Sequence, residues 1–166
     1  MASEVFCAQS SLHAGEPLAG TAAASTWAWI VVEVPEAWAP KPLDSEVFAG
    51  ERRVVIEGWL AAIPGSRLQL VRKPGSERAG RRLFLASTAL ADSWCVRLDL
   101  GPSMDEVCAV DVPVLFAQRG GPEAVAVDRL HLVCTHGKRD ACCAKWGCSM
   151  YGAAAELDDQ RVWQSS

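Results

Sequence analysis

The chain has 166 residues, half of them hydrophobic, with a net charge of −4 and a pI of about 5.4. That length suits one ordinary domain with a sizeable core, and the acidic balance argues against a nucleic-acid binder, which shows a basic excess. No apolar run approaches the roughly 20 residues a membrane-spanning helix needs. The N-terminus, MASEVFCAQSSLHAGEPLAG, has neither a basic segment nor an apolar one following it, so no signal peptide is read and the cytoplasm is the expected compartment. Seven cysteines, an odd number and clustered, fit a metal or redox site better than a disulfide framework.

Residues 1 to 25 are small and polar and read as a loosely structured arm, with Cys7 and His13 its reactive groups. TWAWIVVEV, 26 to 34, is a continuous apolar run bounded by Pro35, which predicts a central strand covered on both faces. A proline-rich loop follows to residue 44. Ser45 is a candidate cap for a helix reaching about Ile63, where Pro64 and Gly65 stop it. Strands are predicted over 67–73, 82–87 and 94–100, the last from the alternation of Trp94, Val96, Leu98 and Leu100. VPVLFAQ, 112 to 118, reads as a short strand or a buried segment, and Gly120-Gly121-Pro122 as a turn. Cys95 and Cys108 suit small buried apolar positions. Helices interspersed among strands indicate an α/β class with a mixed sheet flanked by helices.

The richest chemistry lies in LVCTHGKRDACCAKWGCSMYGAAAEL, residues 132 to 157. Leu130, Leu132 and Cys134 alternate as the inner face of a strand, which turns His131 outward. A polar loop through Gly137 carries His136, Lys138 and Arg139, with His136 expected in solvent. Asp140 suits a helix N-cap. Cys143, Trp146, Met150, Ala153, Ala154 and Leu157 then follow at helical spacing. This places Cys142 and Cys143 in the first turn, where the helix dipole and the basic pair favour thiolate. Thiolates so placed bind metal, attack electrophiles or exchange disulfides. Soft sulfur ligands suit iron–sulfur centres. The spacing Cys134-x7-Cys142, then Cys143 and Cys148, matches no zinc CxxC pair. Cys134 and Arg139 are one residue too close for a Cys-x5-Arg phosphate cradle. Adjacent Cys142 and Cys143 make a poor thioredoxin-type dithiol, which needs Cys-x-x-Cys. RVWQSS begins a further strand.

VCTHGKRDACCAKWG, residues 133 to 147, is similar to the signature of the sucrase/ferredoxin-like proteins, a group of thioredoxin-like [2Fe–2S] proteins. Residues 15 to 43, with their Trp38-Ala39-Pro40-Lys41 turn, also resemble that family's opening. The resemblance implies a thioredoxin-like fold, residues 1 to 166 forming one domain, and an electron-transfer role with a [2Fe–2S] cluster. Carried onto this sequence, Cys143 matches the principal cysteine ligand best, then Cys142, then Cys134, with Lys138 and Arg139 donating to cluster sulfur. The family continues past a Val-Trp-x-x-Ser/Thr strand into a His-x-Gly-Gly-His segment absent from this sequence, so the resemblance implies a C-terminally incomplete domain. A chain lacking those histidines is expected to bind a cluster weakly and to self-associate through an open sheet edge. Cys148 stands where relatives usually carry another residue type. The expected partner is a redox protein of unknown identity, and the role is that of a carrier more than a catalyst. The alternatives are a degenerate domain without cofactor and a cysteine-based thiol redox protein. No pair of carboxylates stands out as glycoside hydrolysis would need.

Overall fold

The computed structural model describes residues 6–16, 26–75 and 80–166. Most of the small-residue arm, and the side chain of Cys7, fall outside the described residues. Within the arm, Cys7–Ala14 forms a helix, α1, where a loose segment was expected. The elements then run β1 (Ala28–Glu33), two 3-10 turns (Pro42–Asp44 and Glu46–Phe48), α2 (Glu51–Ala62), β2 (Ser66–Arg72), β3 (Arg81–Ala89) and β4 (Asp92–Leu100). After them come α3 (Met104–Cys108), α4 (Val112–Ala117), β5 (Val125–Ala126) and β6 (His131–Cys134). A π-helical turn (Cys143–Gly147) leads into α5 (Cys148–Asp158), and β7 (Val162–Ser165) follows.

One mixed sheet joins the strands in the order β5-β4-β3-β1-β2-β7-β6. β1 is central and parallel to β2 across the α2 crossover, and antiparallel to β3, which makes a hairpin with β4. The result is an α/β arrangement, a βαβ unit beside an antiparallel hairpin in one mixed sheet flanked by helices. The run TWAWIVVEV is apolar throughout because β1 is buried on both sides. Ile30 and Val32 join the core under α2, α3 and α4, while Val31 packs with Val71, Phe84 and Trp163 on the opposite face. Each such aliphatic or aromatic side chain contributes about 1.5–3 kcal/mol of burial.

The sheet is curled, and chain length dictates it. In a flat sheet the outer strands β5 and β6 would stand six spacings apart, roughly 29 Å. Only residues 127–130 connect them, and five peptide steps reach at most about 19 Å. The edges must therefore bend toward each other. The connecting segment crosses the concave face, where Val127, Leu130 and Leu132 pack against the Val31, Phe84 and Trp163 cluster.

One predicted element differs, and one open reading is decided. The helix expected from Ser45 begins at Glu51 instead, because the Ser45 hydroxyl is engaged in the preceding loop, accepting from the Ala39 amide at 3.0 Å. The 112–118 segment, read as a short strand or a buried segment, is the second of these, the partly buried helix α4. Asp111 caps it by accepting from the Val114 amide at 3.2 Å, and Pro113 sits in its first turn, where a missing N–H costs nothing. Val112 and Phe116 of this helix are buried in the core, so its apolar composition reflects burial rather than strand pairing.

Candidate functional site

β6 and β7 run parallel on the outer side of β2, and the connection between them carries the cysteines. Cys134 ends β6, paired in register with Ser165. The loop turns tightly: the His136 carbonyl accepts from the amides of Arg139 at 3.0 Å and Asp140 at 3.2 Å. Asp140 caps the helix as expected, its Oδ1 accepting from the Cys142 amide at 2.7 Å. The π-helical turn then packs back onto the strand end. A Cβ at position 147 would overlap the carbonyl oxygen of Cys134 and stand 3.2 Å from the Thr135 Cα, so only glycine allows the approach. A Cβ on Gly137 would meet the Ala144 methyl at 2.6 Å.

The π turn corrects the helical face predicted for this segment. Its wider turn holds one residue more than an α-helical turn, so the inward face shifts by one position. Met150 and Leu157, predicted to pack inward, are exposed, while Gly147 is buried and Tyr151, Ala154, Ala155 and Asp158 are half-buried. The wider turn also means that five-residue spacing from Cys143 to Cys148 is close to one turn, which a regular α-helix would not give.

The predicted site residues are placed as follows. Cys142 is buried, Cys134 and Cys143 are half-buried, and Cys148 is exposed. Lys138 and Arg139 are exposed on the loop. His131 points outward as expected. His136 does not lie in solvent: it is only 4% exposed, with its ring edge-on to Trp38 at 5.6 Å. Neither of its ring nitrogens has a hydrogen-bond partner of good geometry among the described residues, and the same holds for the buried Thr135 hydroxyl. The His136 imidazole is pushed below its ordinary pKa by burial first, then by the nearby charges of Arg139 and Lys138, with the backbone of Trp38 acting the other way. The loop's polar composition signalled exposure. The signal for burial lay far away in the sequence, at Trp38, whose indole donates to the Val34 carbonyl at 2.8 Å and fills the space beside the loop.

Away from this turn, Cys95 and Cys108 behave as packing groups. Burial pushes the Cys95 thiol up to about 11, and Cys108 lies against the main core.

The donor chemistry of the turn, thiols beside an imidazole, is of the type an iron–sulfur centre uses. The described donor set is incomplete for one. Among the described residues no three His, Cys, Asp or Glu side chains converge as a metal-holding group, whereas a [2Fe–2S] cluster needs four protein ligands. No helix among the described residues is long and apolar enough to cross a membrane. Compared with known proteins, the chain matches no family model, no curated protein and no solved structure.

Proposed function

We propose that the chain is an electron-transfer domain of the sucrase/ferredoxin-like type, with its cysteine-bearing turn supplying part of the ligand set of a [2Fe–2S] cluster. The observation that carries this reading is the close seating of the π turn on the end of β6, which Gly147 alone permits. It holds Cys134 at a strand end and Cys143 at a helix entry on one compact support. Both are half-buried, partly shielded yet reachable, whereas Cys142 is buried. Cys143 is the first candidate ligand, with Cys134 and Cys142 after it. The remaining ligands come from outside the donors described. Cytoplasmic residence, where such thiols stay reduced, belongs to the same proposal. So does self-association: β6 is an outer strand of the sheet among the described residues, and a second copy pairing along that edge is the expected route.

Anaerobic reconstitution with iron and sulfide, followed by visible spectroscopy and iron counting, tests the reading. The 166-residue chain is expected to hold well under one cluster per chain. Supplying the His-x-Gly-Gly-His segment that the resemblance implies is expected to raise this to one, and Cys143→Ser in that extended form to abolish it, while Cys148→Ser does not. If both forms stay colourless, the electron-transfer reading falls. A colourless chain in which Cys142 or Cys143 is alkylated fast would point to thiol chemistry instead. Sedimentation across a concentration series reads out self-association.

A further inference from the structure

Elsewhere on the molecule most of the described arginines are paired with carboxylates. Arg52 meets Asp105 at 2.6 Å, Arg119 meets Asp92 at 2.6 Å, Arg161 meets Asp158 at 2.9 Å, and Arg82 and Arg97 are both paired with Asp99. Among the described residues, the lysines and arginines with no carboxylate within ion-pair distance are Lys41, Arg67, Arg72, Lys138, Arg139 and Lys145. Three of these six fall within eight residues of one another, on the cysteine turn. All three are exposed. Within residues 134–150 their only acidic neighbour is Asp140, whose carboxylate caps the Cys142 amide.

The patch is also pre-shaped. The Lys145 ammonium is held over the rings of Phe6 and Trp146, at 4.1 and 4.8 Å, and those two rings meet edge-to-face at 5.0 Å. Cation–π contacts fix the ammonium without cancelling its charge. Met150, one turn past Trp146, is 65% exposed. Uncompensated cations around an apolar centre are the anatomy of a protein-docking surface. In a chain of net charge −4 such a patch is a local region of opposite sign, and a local field of that kind steers and orients an oppositely charged partner.

We propose that the face formed by Lys138, Arg139 and Lys145 around Trp146 and Met150 docks an acidic protein. Resting on the electron-transfer reading, it is the face through which the redox partner approaches the cysteines. A protein is favoured over the other polyanions by the size of the patch. Anionic membranes are recognised by clusters of about four to eight basic residues, and nucleic acid by a basic excess over a whole domain face. Three cations in an acidic chain meet neither condition.

The test uses the 166-residue chain without iron and a fluorescein-labelled decaglutamate peptide, followed by fluorescence anisotropy at low ionic strength. Binding is expected, weakening steeply with added salt. The variant K138Q/R139Q/K145Q should bind at least about tenfold more weakly, while K41Q/R67Q, which removes unpaired cations elsewhere, should bind as the parent does. The single variant Arg139→Gln, expected to show a smaller loss, covers the case in which the triple variant fails to fold. Equal binding by parent and charge variants would overturn the proposal. So would tighter charge-dependent binding to phosphatidylserine vesicles or to duplex DNA than to the peptide. The outcome is separable from reconstitution. Peptide binding, with neither the 166-residue chain nor its extended form acquiring a cluster, would retire the electron-transfer reading and leave the acidic docking face standing. A cluster with no charge-dependent binding would do the reverse.

Discussion

A methyl group at position 147 would overlap the Cys134 carbonyl oxygen and crowd the Thr135 backbone, atoms that can move only if the strand end moves. Gly147→Ala is therefore expected to destabilise the fold by about 1–3 kcal/mol, as overpacking against rigid neighbours does. Gly152, further along α5, has nothing within 4 Å of where its Cβ would stand. Gly152→Ala should stabilise by up to about 1 kcal/mol through helix propensity alone. Urea unfolding of the two variants, with opposite signs, checks both. His136 supplies a pH signature. Its folded-state pKa lies below the ordinary value of about 6.5. As the pH falls, the unfolded chain therefore takes up the proton first. The stability this residue contributes is complete above about pH 7 and declines as the pH drops from about 6.5 toward the depressed folded value. His136→Phe, which keeps a flat ring beside Trp38, should flatten that decline in unfolding curves collected between about pH 7 and 5. An unchanged slope would mean that other groups carry it.

Among the elements, Arg81 is the staple. It is 9% exposed, and its guanidinium donates to the Pro102 carbonyl at 2.7 Å, to the Glu33 carbonyl at 3.2 Å and bidentately to Glu36. One side chain thus joins the end of β1, the start of β3 and the loop after β4. Arg81 holds the Glu36 carboxylate below its usual pKa. The Glu36 side chain is nearly half exposed, so water can take over that charge. The cost of Arg81→Leu comes mainly from two carbonyls left without their donor, about 2 kcal/mol in total. Denaturant unfolding at neutral pH should show that loss, and Glu36→Gln should cost clearly less.

For the molecule as a whole, closure of the curled sheet depends on Trp163. It is 1% exposed, stacks edge-on to Phe84 at 5.4 Å, and carries the cations of Lys73 and Arg82 over its ring, each at 5.0 Å. It lies on β7, the strand that ties β6 to β2. Trp163→Ala should cost about 3–5 kcal/mol. Since the cluster around Trp163 is where the 127–130 connection packs, the variant should also lose near-ultraviolet dichroism around the concave face while keeping far-ultraviolet strand and helix signals. Loss of both together would show that β6 and β7 do not fold as a separable margin of the sheet.

Local chemistry was enough to place most strands and the cysteine-bearing turn. The apolar run of β1, the alternation along β4 and the Asp140 cap each express a rule that acts over a few neighbouring residues, so the order strand, loop, helix around Cys134 to Cys148 was legible before any coordinates. Periodicity cannot announce a π turn, because one extra residue in a helix leaves the composition unchanged and moves the inward face from Met150 and Leu157 to Tyr151 and Asp158. Nor can a polar loop announce that His136 is buried, because the residue that buries it, Trp38, lies about a hundred positions earlier and reaches it only through the sheet. The gathering of uncompensated cations was likewise hidden. Lys138, Arg139 and Lys145 are neighbours in sequence, but that no carboxylate comes within ion-pair distance of them is visible only once the fold shows where the described acids lie. Charge, spacing and hydropathy are local quantities and determine local structure. Which groups end up facing one another is set by how the sheet curls and where the helices seat, and tertiary packing alone decides it.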